Sequence, residues 1–212
     1  DDIYFNTADI TAPNLRVGQQ TAQPVGVQVV NLTEWPLRDV TATVVENEHF
    51  QKTSNTYPAL GPHAVNQLSW RLDPKSDWQN ADQTIEATLR FDACALETAY
   101  ETTIELQTVG AGENFKRTFR SPIDGSTQYY SVVPPIDESS AESYGLVLTL
   151  HGAGVDATGQ ADAYTRKEWA YIVAPTNRRK FGFNWEAWGH HNGMNAMRDA
   201  MDRFSIDETN VH

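Results

Sequence analysis

The sequence predicts an antiparallel β-sandwich over residues 1–109, followed by the opening of a parallel or mixed sheet flanked by helices over residues 110–212. Three observations lead there. Between residues 17 and 108 apolar side chains alternate with polar or small ones, the period of strands with one buried face. Residues 145–150 (GLVLTL) are nearly all apolar, as a strand buried on both faces requires. Beyond them Met194, Met197, Met201 and Phe204 recur at helical spacing.

The alternating runs come in order. Val25, Val27 and Val29 form the first, and Val40, Ala42 and Val44 the second. Leu68, Trp70 and Leu72 follow, then Ile85, Ala87, Leu89 and Phe91, and a weaker run through Tyr100, Thr102, Ile104 and Leu106. Turn chemistry bounds them at residues 31–36, 58–62, 73–75 and 80–82. Short strands at this spacing read as a sandwich of immunoglobulin-like size, without the Cys–Trp–Cys hallmark.

Residues 110–113 (GAGE) mark the joint. Two strand-like stretches, 115–120 and 127–133, flank the hairpin signal Asp124-Gly125. A polar loop spans 134–143, and the buried strand 145–150 ends in the turn His151-Gly152-Ala153-Gly154. A short helix is expected near 157–167, a second buried strand at 170–174 and an amphipathic helix over 189–204 with the methionines as its core stripe. Residues 205–210 read as a turn and Val211 as the start of a further strand. So few parallel strands imply an unfinished sheet, and the chain is expected to stop partway through this domain.

Composition limits the function. Sixteen Lys+Arg against 28 Asp+Glu leave a formal charge of -12, which repels a phosphate backbone and argues against nucleic acid. The surplus is uneven: 15 acids and 6 bases before residue 109, a net of -9, against 13 and 10 after it, a net of -3. No apolar run approaches the ~20 residues of a membrane helix. The one cysteine, Cys94, cannot form an internal disulfide or a cysteine-rich metal site, and beside Phe91 and Leu96 it reads as a small buried apolar residue.

The glycine turn carries the chemistry. A dinucleotide fingerprint fails because Ala157 stands where its third glycine belongs, and no Lys-Ser/Thr ends the turn as a phosphate loop would. An oxyanion loop of the HGGG type fits His151-Gly152-Ala153-Gly154. Such a loop turns backbone N–H groups towards a tetrahedral intermediate, and small residues let substrate come close.

Together with residues 148–154 (LTLHGAG), residues 174–179 (APTNRR), the stretch from Trp185 to Trp188 and the run Phe204-Ser205-Ile206-Asp207 complete a series. It resembles the prolyl-oligopeptidase-type (S9-like) esterases and peptidases of the α/β-hydrolase superfamily over about residues 115–212. The resemblance implies a truncated α/β-hydrolase domain behind an accessory sandwich. It implies ester or peptide cleavage through an acyl-enzyme, ester slightly preferred, without cofactor or metal. Ala153 and Gly154 would supply the oxyanion donors, His151 and Gly152 would shape that loop, and Asn177, Trp185 and Trp188 would meet substrate. The family's nucleophile sits in a Gly-x-Ser-x-Gly elbow, which no Ser here satisfies. Nucleophile, acid and base are therefore expected downstream of His212, and the remaining part of the same enzyme is the expected partner. Such multidomain esterases suggest a secreted or periplasmic location.

Other readings stay beside these. Arg178, Arg179 and Lys180 could receive a substrate carboxylate or form a solvated loop. Trp185 and Trp188, with Phe181 and Phe183, could line a pocket or pack in the core. Neighbouring His190 and His191 point about 100° apart on a helix and lack a further ligand at i+4, so no metal is expected. Trp35 and Trp78 could offer a sugar platform, whereas Trp70 alternates with leucines and belongs inside. The alternative function is a glycan- or polymer-binding module with a degenerate hydrolase half.

Overall fold

A computed structural model describes residues 2–178 and 182–212. Its strands are β1 (Ile3–Thr11), β2 (Leu15–Arg16), β3 (Gln23–Asn31), β4 (Leu37–Val44), β5 (Thr53–Leu60), β6 (Val65–Leu72), β7 (Thr84–Cys94) and β8 (Tyr100–Val109). Then follow β9 (Phe115–Arg120), β10 (Thr127–Val133), β11 (Tyr144–Leu148), α1 (Ala157–Asp162), β12 (Ala170–Pro175), α2 (Trp188–Arg203) and β13 (Ile206–Val211).

The first eight strands make two sheets, in the orders β1-β3-β6 and β2-β8-β7-β4-β5. Alternation explains their facing. Val25, Val27 and Val29 from one sheet and Ala42, Val44, Leu89 and Phe91 from the other are all buried in one core around Trp70. Each valine, leucine or phenylalanine so removed from water contributes roughly 1.5–3 kcal/mol.

Strands β1, β2 and β5 carried no alternating signal. β1 and β5 are edges with one partner each. β1 shifts register between Asn6 and Thr11, and β5 contains Pro58, tolerated where no ladder N–H is required. One polar side chain is part of the fold: Asn31 is buried, and its Nδ2 donates to the carbonyls of Trp35, Leu60 and Gly61.

A third sheet runs β13-β11-β12-β10-β9. It is antiparallel across β9, β10 and β12 and parallel across β12, β11 and β13. This corrects the expectation of a truncated α/β-hydrolase domain with flanking helices. Among the described residues strand accounts for 48% and helix for 11%, in three sheets and two helices, a sandwich-like and strand-dominated arrangement.

The physical reason is coverage. The six-residue α1 is about 9 Å long, against a five-stranded sheet roughly 19 Å wide. The face α1 leaves open is met by the sandwich instead. Thr118 Oγ1 donates to the Pro24 carbonyl at 2.6 Å, and Thr127 Oγ1 bonds Ser69 Oγ at 3.0 Å. The opposite face takes α2, but its buried stripe is Gly189, Asn192, Gly193, Ala196 and Ala200 rather than the methionines. Met197 and Met201 are only partly buried against the core. Small residues let the helix lie close to the sheet.

Two local readings also change. Residues 205–210 belong mostly to β13, which pairs in parallel with β11. Cys94 is exposed, and its thiol lies 3.4 Å from Asp39 Oδ2, whose hydrogen bond and charge push the thiol pKa up. At the last residue of β7 the alternation points it outward, next to a left-handed Ala95.

Candidate functional site

Where the chain leaves β11 it passes to α1, and where it leaves β12 it passes to α2. The two helices lie on opposite faces: Ala161 packs with Ile172 and Ala174, whereas Ala196 and Ala200 pack with Tyr171 and Val173. The loops after two adjacent parallel strands therefore diverge and leave a crevice at the carboxyl ends, where ligands settle on such sheets.

The first loop is built from its ends. Thr149 Oγ1 bonds the Tyr164 hydroxyl at 2.8 Å and accepts from Gln160 Nε2 at 2.6 Å, tying the strand's exit to α1. Asp156 caps α1 by accepting from the Gly159 N–H at 2.8 Å. Between these anchors His151 is buried, while Gly152, Ala153 and Gly154 are exposed. Gly154 has φ +81°, the left-handed region that favours glycine, and a Cβ at Gly152 or Gly154 would meet open space. Among the described residues no backbone carbonyl accepts from the N–H of residues 152, 153 or 154.

The second loop clamps the first. Trp185 Nε1 donates to the His151 carbonyl at 3.0 Å, and the two rings meet edge to face with centroids 5.3 Å apart. The His151 Nδ1 lies 3.2 Å from the Gly152 carbonyl. These contacts hold the His151 ring between its own loop and Trp185. Asn177 is buried, with φ +53°, and its Nδ2 donates to the Asn184 carbonyl at 2.8 Å, closing the loop on itself. Arg178 and Ala187 also have positive φ. Three non-glycine residues in sparsely populated backbone regions on one loop store strain of the kind that clusters at functional sites.

The other expected residues separate. Trp188 and Phe183 are about 60% exposed (61% and 59%), so neither is core. Arg178 pairs with Asp124 and donates to Ser121 Oγ at 3.2 Å, bracing the β9–β10 hairpin. Arg179, Lys180 and Phe181 lie outside the described residues. His190 and His191 are exposed with rings 5.7 Å apart, and among the described residues no three His, Cys, Asp or Glu side chains stand together as metal ligands would. Trp78 is buried against Phe50, which removes it from any surface platform, while Trp35 is half exposed.

Sequence reasoning missed two members of the site. Thr176 and Asn192 are buried, and Thr176 Oγ1, Asn192 Nδ2 and His151 Nε2 lack a partner among the described residues. The Asn192 side chain accepts from the Arg178 N–H at 3.3 Å. A signal for it existed: Asn192, Ala196 and Ala200 share one helix face, and a polar residue in a stripe of small ones invites a reason. A second opening of about 650 Å³ lies beside Thr176 and Arg178, between β1 and Lys116, Gln128 and Tyr129; residues 151–154 do not line it. Burial lowers the Lys116 ammonium pKa and raises that of the Tyr129 phenol.

Packing at the start of α2 is tight. A Cβ on Gly189 would strike the Asn177 Oδ1 and lie 2.5 Å from the Asn184 carbonyl. Gly189→Ala is therefore expected to break the Asn177 clamp, costing about 1–3 kcal/mol. In urea denaturation its midpoint should fall, and Trp185 fluorescence should report a loosened loop. Gly193→Ala, whose Cβ would meet Trp185 at an ordinary 3.7 Å, should change little.

No helix among the described residues is long and apolar enough to cross a membrane. No protein-family model matches the chain, and no curated protein matches it. The motifs in residues 148–207 therefore gain no family assignment, and nothing points to the prolyl-oligopeptidase type. Among solved structures, the chain is similar to a thermostable esterase at 13% identity and a TM-score of 0.34, over 95% of this chain and 68% of that one, a likeness too slight to carry an argument.

Proposed function

We propose that this chain carries the oxyanion-binding loop of a serine-hydrolase-type acyl-transfer site, with ester favoured over peptide as substrate. One observation carries the reading: three consecutive exposed residues, Gly152 to Gly154, whose N–H groups have no backbone acceptor among the described residues, stand at the carboxyl end of β11 on a rigid support. Ala153 and Gly154 would donate to the substrate's carbonyl oxygen as it gains charge, a stabilisation confined to the transition state. His151 and Gly152 position that loop. Asn177 and Trp185 hold the facing loop, and exposed Trp188 and Phe183 offer apolar surface for an acyl or aromatic group. Residues 1–109 would act as an accessory sandwich and residues 110–212 as the part bearing the site.

The chain contains no Gly-x-Ser-x-Gly. In this reading the nucleophile, acid and base come from a segment beyond these residues. A fluorophosphonate probe is expected to label the longer polypeptide and to leave residues 1–212 unlabelled, as read by intact mass. Labelling of residues 1–212 alone would overturn the assignment.

A further inference from the structure

The cavity of about 650 Å³ between the sandwich and the third sheet has a bulge for one wall. Asn6 of β1 pairs with Gln28 of β3 and Thr11 with Gly26, so four residues of β1 stand opposite Val27 alone. The surplus chain bows out of an edge strand, as bulges beside functional sites do. Residues 8–12, within and just beyond it, line the cavity.

The floor is the part of the third sheet that α1 is too short to cover. Ser131 Oγ bonds Thr158 Oγ1 of α1 at 3.2 Å, and in the sheet Ser131 pairs with Lys116 and with Ala174. Lys116 and Ala174 therefore share the α1 face. So do Tyr129, two positions from Ser131, and Thr176, two from Ala174, because side chains alternate along a strand. Three of these four, Lys116, Tyr129 and Thr176, line the cavity. Its volume of about 650 Å³ falls within the ~300–1,000 Å³ of small-molecule sites.

The lining selects the guest. Only Ala8, Ile10 and Ala12 among its twelve residues are apolar, which disfavours an aliphatic or lipid occupant. Its charges are matched, so nothing calls for an anion: Arg178 pairs with Asp124, the Asp156 charge acts on Lys116, and Asp9 adds a carboxylate. What remains is hydrogen-bonding capacity. Thr176 Oγ1 is buried without a partner among the described residues. The Lys116 ammonium lies over the Tyr129 ring, 5.9 Å from its centroid, and donates to no oxygen among the described residues. Gln28 Oε1 accepts from Asn6 Nδ2 at 3.0 Å, which leaves its amide NH2 to donate. A hydroxyl both donates and accepts, so a polyol can answer an ammonium, an amide, a threonine and a carboxylate together. We propose that this cavity binds a short neutral saccharide through Lys116, Gln28, Thr176 and Asp9.

Residues 151–154 do not line this cavity, so its occupancy is tested apart from any hydrolysis. The test is calorimetric titration of the full chain with neutral tetrasaccharides of glucose, xylose and mannose, and with a galacturonate tetramer as the charged counterpart. At least one neutral tetrasaccharide is expected to bind with a Kd of about 1 mM or below, and more tightly than the galacturonate. Lys116→Met and Thr176→Val should each weaken that binding about tenfold, the loss of one hydrogen-bonding partner. Ala8→Trp places an indole at an exposed lining position on the edge strand and should abolish it. Thermal melts report whether each variant is folded. Absence of binding by every neutral sugar, tighter binding of the galacturonate, or binding untouched by Ala8→Trp would overturn the proposal. Should Lys116→Met or Thr176→Val fail to fold, Ala8→Trp decides.

Discussion

Replacing Ala153 by proline is expected to lower ester turnover by the polypeptide that carries these residues by about 10²- to 10³-fold, with KM little changed. Proline removes the N–H while its ring suits the negative φ that Ala153 keeps, and flexible Gly152 before it absorbs the added restriction. A donor that meets charge only in the transition state is worth about 3–4 kcal/mol, so its loss falls on kcat. Ala153→Gly keeps the N–H and should stay within a few-fold of wild type. Steady-state hydrolysis of a p-nitrophenyl ester, with a thermal melt of each variant, separates lost chemistry from lost fold. Undiminished turnover in the proline variant would remove Ala153 from the site.

Truncating Trp70 to alanine is expected to destabilise the sandwich by about 3–5 kcal/mol, the usual cost of emptying a buried aromatic site. Trp70 is fully buried on β6, 6.4 Å from the ring of Phe5, and its Nε1 donates at 3.3 Å to the Arg90 carbonyl on β7. It therefore joins the two sandwich sheets through both packing and a hydrogen bond. Urea denaturation should show the lower midpoint, with Trp70→Phe recovering most of the loss because the ring volume largely remains. Half-exposed Trp35 gives the contrast: Trp35→Ala should stay within about 0.5 kcal/mol.

What sequence patterns reveal is local. The runs at residues 25–29, 40–44, 68–72 and 85–91 announce their strands because each has one face against a core and one against polar surroundings. Edge strands lack that asymmetry. β1 and β5 form because β3 and β4 offer unpaired backbone, and their own side chains say little. The same limit explains Cys94. Hydrophobic neighbours at residues 91 and 96 suggested an inside position, but β7 ends there and the alternation turns the thiol outward. In α2 the helical period was legible, yet choosing between methionine and alanine as the buried stripe needed the sheet beneath it.

The candidate site divides in the same way. That a glycine turn follows a buried strand can be read from residues 145–154, because strand burial and left-handed turns are short-range matters of apolar runs and missing Cβ atoms. That His151 is sealed under Trp185, 34 positions away, and that Arg16 reaches Glu138 across 122 positions, depends on which surfaces meet. The excess of strand over helix was likewise settled in three dimensions, since α1 is too short to cover the third sheet and the sandwich covers part of it instead. By itself the sequence determined the period of its elements and the place of the glycine turn. The pairing of edges, the partners of buried charges and the composition of the cavities came only from the tertiary structure, because they are properties of contacts between residues far apart in the chain.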